Sequence, residues 1–192
     1  MNVRALAFDL DGTLVDSKID FSSMKRELGL SDDVDVLAHV DSLSVAEREV
    51  ALEIIYRHEH EGVLASSPID GALEFVKQAQ NLGYPCAIFT RNARTLAAES
   101  LKMHGFEIDF VIAREDGPAK PKPDGLLKIA TTFDVAVAEL LFVGDYIYDL
   151  QAALAAGALN ALYLPKPADF DTTGVHFTFE TYRQLADRIF PS

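Results

Sequence analysis

Short runs of β-branched, aromatic and other apolar residues alternate along the chain with segments whose apolar residues recur every three or four positions. The runs Val3–Phe8, Pro85–Thr90, Phe110–Ala113, Leu140–Val143, Ala161–Leu164 and Val175–Phe179 predict strands. They are almost continuously apolar, as expected of parallel strands covered by helices on both faces. Helices are predicted over Ala72–Leu82, Ala93–His104, Gly125–Thr132 and Leu150–Ala156, with Gly83, Gly105 and Gly157 standing where C-caps would lie. Alternating strands and helices of this kind predict a mostly parallel α/β sheet.

One stretch breaks the alternation. From about Lys18 to Ser67 no strand is predicted, and the pattern is helical: Phe21–Leu28, a short Val34–Val40 and a long Val45–Leu64, where Val50, Ile54, Ile55 and Tyr56 suggest the apolar stripe. The expected architecture is a Rossmann-like sheet with helices on both faces, formed by residues 1–17 and 68–192. Residues 18–67 form a small helical cap inserted after the first strand. The carboxyl edge of such a sheet is where ligands bind, so the insert reads as a lid over that edge; additional core helices are the plainer alternative.

Composition narrows the function. Seventeen Lys and Arg stand against thirty Asp and Glu among 192 residues, a net charge of −13. So acidic a surface repels nucleic acid and anionic membranes, and it would repel an anionic substrate unless a local cation reversed the field. A single cysteine, Cys86, excludes an internal disulfide framework. The longest weakly polar stretch, Ala152–Leu164, is far below the roughly 20 apolar residues of a membrane span. Arg4, Asp9 and Asp11 interrupt any signal-peptide pattern, so the expected location is cytoplasmic. The five histidines show no metal-binding spacing with acids or with the cysteine. His58 and His60 lie two apart, on different helix faces, and Glu47–Glu61 reads as a solvated face.

The candidate chemistry begins where the first strand ends, in Phe8-Asp9-Leu10-Asp11-Gly12-Thr13. Acids at i and i+2 leaving a buried strand project the same way while Leu10 turns back to the core. Two such carboxylates repel, and a shared proton or a cation must stabilise them. Further along come Thr90-Arg91-Asn92 at the end of the second run, Lys120-Pro121-Lys122-Pro123-Asp124, and Gly144-Asp145-Tyr146-Ile147-Tyr148-Asp149.

These four segments, in this order, resemble the motifs of the haloacid dehalogenase superfamily, in particular its phosphoglycolate phosphatase-like branch: D-x-D-G-T, a strand-end hydroxyl, K-P-x-P and G-D-x-x-x-D. The resemblance implies a phosphoric monoester hydrolase. Asp9 would be the nucleophile that forms an aspartyl-phosphate, and Asp11 the general acid and base. Mg²⁺ would be the cofactor, bound by Asp9, the Asp11 backbone carbonyl and Asp145, with Asp149 acting through water or by orienting its neighbours. Thr90 would hydrogen-bond a phosphoryl oxygen and Lys120 would neutralise charge there. The substrate would be a small phosphorylated metabolite, the protein a monomer or homodimer. A phosphomutase shares the same core, and a catalytically idle binding protein on this fold is the non-enzymatic alternative.

Several residues carry two readings. Thr90 could cap the following helix, Lys122 shares the loop of Lys120, and Asp124 could cap the next helix or face the site. Arg91 and Asn92 are candidates for substrate contact or plain loop structure. Asp16 and Ser17 are expected to shape the turn into the insert. Cys86 is expected to be an inert residue of a buried strand. Tyr146 stands where many of the resembled proteins have Ser or Thr, and the insert is short, so the resemblance leaves the substrate open.

Overall fold

The structure, a computed structural model, describes residues 2–190. In chain order its elements are β1 (Ala5–Phe8), β2 (Val15–Asp16), α1 (Phe21–Glu27), α2 (Val36–Ser42), α3 (Val45–Leu64), β3 (Ser67–Pro68), α4 (Ala72–Asn81), β4 (Cys86–Phe89), α5 (Arg94–His104), β5 (Phe110–Ile112), α6 (Asp124–Thr132), β6 (Leu140–Gly144), α7 (Ile147–Ala156), β7 (Leu159–Tyr163), β8 (Phe177–Phe179) and α8 (Tyr182–Ile189). The chain divides into two compact units. One takes the chain up to Asp16 and from Ser67 on; the other is Ser17–Ser66.

The larger unit is built on a six-stranded sheet in the order β5-β4-β1-β6-β7-β8, with every neighbouring pair parallel. Side chains alternate across a strand, so each strand feeds two cores. Leu6, Phe8, Ile88, Leu141 and Val143 face one layer, with Phe75 and Val76 of α4, Leu101 of α5, and Tyr182 and Leu185 of α8. Ala5, Ala7, Phe89, Leu140 and Phe142 face the other, with Leu126 and Ile129 of α6 and Ala152 and Ala153 of α7. Both faces are thus covered, which is why the strands read as unbroken apolar runs.

A two-rung antiparallel ribbon, β2 with β3, pairs Val15 with Pro68 and Asp16 with Ser67. The apolar pattern gave no sign of it, because two residues per strand are too few to show a period. Asp16 therefore belongs to a strand and not to the predicted turn. Helix α8 lies outside the predicted helices, and α7 begins three residues before its predicted start.

The smaller unit has its own core of Met24, Val40, Ala51 and Ile55, with Ile19, Leu28, Val36, Leu43 and Leu52 packed against it. Asp20 accepts the Ser23 N–H at 2.9 Å and Asp35 accepts the Ala38 N–H at 2.8 Å, capping α1 and α2. Helix α3 has the predicted extent but a different buried stripe: Ala51, Ile55, His58, Glu59, Gly62 and Val63 are inside, while Val50 and Tyr56 are exposed. Its charged positions are therefore not one solvated face, since Glu59 is buried and His58 is bonded to Glu27 at 2.9 Å.

Candidate active site

Asp9, Thr90 and Asp145 immediately follow β1, β4 and β6, which are adjacent in the sheet, so parallel pairing brings all three to one carboxyl edge. The register carries past the strand ends: Asp9 N–H donates to the Val143 carbonyl at 2.8 Å, and Thr90 N–H to the Ile112 carbonyl at 2.9 Å. Leu10 is fully buried, as the alternation required, while Asp11 is half-buried.

Asp9, Asp145 and Asp149 each offer a carboxylate oxygen within 4.8 Å of the others. The buried Lys120 ammonium lies 2.6 Å from Asp9 Oδ1 and 2.7 Å from Asp149 Oδ1. It also sits 5.7 Å from the Phe89 ring centre and 5.5 Å from that of Phe142, so rings surround its charge and stem. Asp149 Oδ2 accepts the backbone N–H groups of Asp145 and Tyr146 at 3.2 and 3.0 Å. Asp149 thereby closes the first turn of α7 and aims the residue before it. Thr13 Oγ donates to Asp145 Oδ1 at 3.1 Å.

Two glycines make this crowding possible. A Cβ on Gly12, whose φ is +84°, would lie 2.3 Å from Asp145 Oδ2. A Cβ on Gly144 would lie 2.3 Å from the Cβ of Asp149.

The electrostatics follow from burial. Burial raises the Asp9 pKa well above the usual carboxylate range; Lys120 opposes this, and Asp149, Asp145 and Asp11 add to it. Burial, with Asp149 adding, pushes Asp145 up to about 7. For Lys120 burial works against the ammonium, but Asp149 and Asp9 outweigh it and hold the pKa above its ordinary value. Ionised together, three carboxylates with one ammonium would leave excess negative charge in a desolvated place. An all-oxygen donor set of this kind fits a hard divalent cation. With Asp149 occupied by Lys120 and two N–H groups, Asp9 and Asp145 keep an oxygen outside these bonds. The Asp11 carboxylate stands apart from the trio.

Asp11 Oδ2 accepts a 3.2 Å hydrogen bond from Asn92 Nδ2. Asn92 N–H in turn donates to Thr90 Oγ at 3.0 Å, and both residues are buried. Thr90 therefore shapes the turn before α5, whose N-cap is Ala93. The Arg91 guanidinium lies 4.5 Å from the centre of the Tyr148 ring. Lys122 is exposed, and Asp124 is the first residue of α6 after the N-cap position, Pro123. Cys86 is partly buried, and burial pushes its thiol to about 12, consistent with an inert role. Among the described residues no helix is long and apolar enough to cross a membrane.

The model of haloacid dehalogenase-like hydrolases matches residues 3–157. The chain belongs to this family. A haloacid dehalogenase-like hydrolase domain-containing protein of Arabidopsis thaliana is 30% identical, covering 93% of this chain and 79% of its own. A phosphoglycolate phosphatase of Neisseria meningitidis is 30% identical, covering 83% and 79% respectively. The crystal structure of a putative phosphoglycolate phosphatase from Lactobacillus plantarum superposes with a TM-score of 0.80, covering 97% of this chain and 99% of that one, at 22% identity, which establishes the shared hydrolase fold. The family match includes every residue from Asp9 to Asp149 described above and ends before β7.

Proposed function

We propose that this hydrolase is a Mg²⁺-dependent phosphatase that cleaves a small phosphorylated metabolite through an aspartyl-phosphate. The observation that carries the reading is the meeting of Asp9, Asp145 and Asp149, with the Lys120 ammonium between Asp9 and Asp149 and the Asp11 carboxylate bonded to Asn92. The family membership and the name of the Neisseria relative support it.

Phosphoryl transfer is mostly positioning and charge neutralisation. Asp9 attacks phosphorus in line and the ester oxygen leaves on the opposite side. Asp11 gives that oxygen a proton, then takes one from the water that hydrolyses the acyl phosphate, help typically worth about 10²–10⁴-fold. Thr90 and Lys120 hold the phosphoryl oxygens, and Arg91 contacts the remainder of the substrate. Asp9, Asp145 and the Asp11 carbonyl would hold Mg²⁺, which supplies charge neutralisation between nucleophile and phosphate when bound. Asp149 keeps Lys120 and the start of α7 in place.

The helical unit Ser17–Ser66 is proposed to act as a lid that selects the substrate, so replacing it with a short turn should reorder substrate preference. The deciding experiment is phosphate release from a panel of small phosphoesters, beginning with phosphoglycolate, with and without Mg²⁺. Mg²⁺-dependent release is expected. No release from any ester overturns the reading, and an isomeric sugar phosphate as product would make the enzyme a mutase.

A further inference from the structure

Tyr182 opens α8, beyond the residues matched by the family. Its ring is buried among those of Phe75, Tyr163 and Phe179, at centroid separations of 5.5, 5.9 and 5.5 Å. Phenylalanine would serve such packing equally well; a buried phenol must in addition pair its hydroxyl. The hydroxyl donates a 2.7 Å hydrogen bond to the backbone carbonyl of Thr13, 169 residues away in sequence.

Apart from the Leu14 carbonyl, which accepts the Ile69 N–H at 2.9 Å, the backbone of the turn that contains Thr13 bonds mostly within itself. Leu14 and Val15 N–H donate to the Leu10 carbonyl at 2.9 and 3.0 Å, and Gly12 N–H donates to the Val15 carbonyl at 2.7 Å. The Thr13 carbonyl takes part in none of these bonds, and Thr13 is fully buried, so without the phenol a buried acceptor would lose its partner. The Thr13 hydroxyl, on its other side, donates to Asp145 Oδ1 at 3.1 Å. One residue thus joins α8 to a carboxylate of the site, and Asp11 lies two residues before it.

We propose that Tyr182 is a positioning residue for the reaction: through the Thr13 carbonyl it fixes the turn after β1, and with it the Asp11 backbone and the Asp145 carboxylate. The inference rests on the phosphatase reading for its kinetic consequence but not for its structural one. Loss of the hydroxyl lets the turn shift on the scale of one hydrogen bond. That changes how Asp145 and Asp11 meet the cation and the leaving group, and leaves the grip on substrate almost unchanged.

The test is Tyr182→Phe, with Phe75→Leu as a packing control that keeps the hydroxyl. In metal-free Tyr182→Phe, amide hydrogen exchange at residues 12–15 should accelerate. Its Mg²⁺ dissociation constant, read by calorimetry, should rise several-fold, and kcat should fall about tenfold with KM within about twofold. Phe75→Leu should lower Tm without these changes. Wild-type exchange, Mg²⁺ affinity and kcat in Tyr182→Phe, or equal changes in Phe75→Leu, would overturn the proposal. If Tyr182→Phe does not fold, 3-fluorotyrosine placed at 182 keeps ring and hydroxyl. Its ¹⁹F resonance should shift when Mg²⁺ is added, and an unmoved resonance refutes the coupling. A wild-type protein that hydrolyses no ester sinks the phosphatase reading, while the exchange measurement still judges Tyr182.

Discussion

The Lys120 ammonium donates a 2.7 Å hydrogen bond to Oδ1 of Asp149, and both groups are buried. Removing one partner of a buried pair costs about 3–5 kcal/mol, because the other charge is left uncompensated. Lys120→Met strands both Asp149 and Asp9. The expected outcome is a metal-free protein less stable by about that amount in urea unfolding, with turnover lost. Wild-type stability would mean that Lys120 does not balance the carboxylates.

Asp9→Asn removes the proposed nucleophile and one crowding charge while keeping the shape of the side chain. Turnover should fall by at least about 10³-fold, about 4 kcal/mol of barrier, with the circular dichroism spectrum unchanged. Substantial residual hydrolysis would show that another group attacks phosphorus.

A carboxyl whose folded pKa lies above its unfolded value binds its proton more tightly when folded. Its stabilisation is therefore present below the unfolded value and lost as pH rises through the folded one. For Asp145 that window runs from its ordinary 3.8 to about 7, and Asp9 shifts in the same direction. Metal-free protein should lose Tm steadily between pH 4 and pH 7, and Mg²⁺ added at pH 8 should recover it. The lowered carboxyls Asp20, Glu27, Asp33, Glu47, Asp116 and Asp171 change stability in the opposite sense, but only below their ordinary values, 3.8 for Asp and 4.5 for Glu, so the loss of Tm reads cleanly above about pH 5. A Tm that rises across the window would reverse the assignment.

Gly144→Ala forces a methyl group to within 2.3 Å of the Asp149 Cβ, so β6 or the start of α7 must move. Overpacking of this kind costs about 1–3 kcal/mol. Chemical denaturation should show that loss, and a Mg²⁺ titration should show weaker binding, since Asp145 lies between the two residues in the chain. An unchanged titration would mean that α7 absorbs the methyl group without moving Asp145.

Asp35→Ala removes the cap of α2 and should destabilise the helical unit by about 1 kcal/mol. Hydrogen exchange should accelerate in α2 while the amides of β1 and β6 keep their protection. Equal acceleration in both would mean that the two units unfold together.

The carboxyl edge was legible because unbroken apolar strands end abruptly in acids and glycine. An apolar strand emptying into Asp9-Leu10-Asp11-Gly12 marks its own edge, and the same holds for Gly144-Asp145. The connections between side chains were not legible. That Asp149 serves Lys120 and two N–H groups, or that Asn92 holds Asp11, depends on strands far apart in sequence becoming neighbours. Helix α8 does carry a signal in the sequence: Thr181 and Gln184 form a capping box, and Tyr182, Leu185, Ala186 and Ile189 recur at helical spacing. Strand β7 starts two residues earlier than its apolar run because Asn160 is buried inside it. Its side chain accepts the His176 N–H at 2.9 Å, which a hydropathy pattern scores only as polar. In α3 the stripe shifted by one residue because small Ala51, and not Val50, faces the core.

The ribbon of β2 and β3 sets Asp16 opposite Ser67, so the polypeptide leaves for the helical insertion and comes back at a single rung. Wired in this manner, the intervening fifty residues resemble a cassette held by two adjacent clips. Lengthening, shortening or exchanging it alters neither the spacing nor the direction of the clips. Evolution can therefore rework the insertion while the sheet, with its acids and its lysine, is inherited intact.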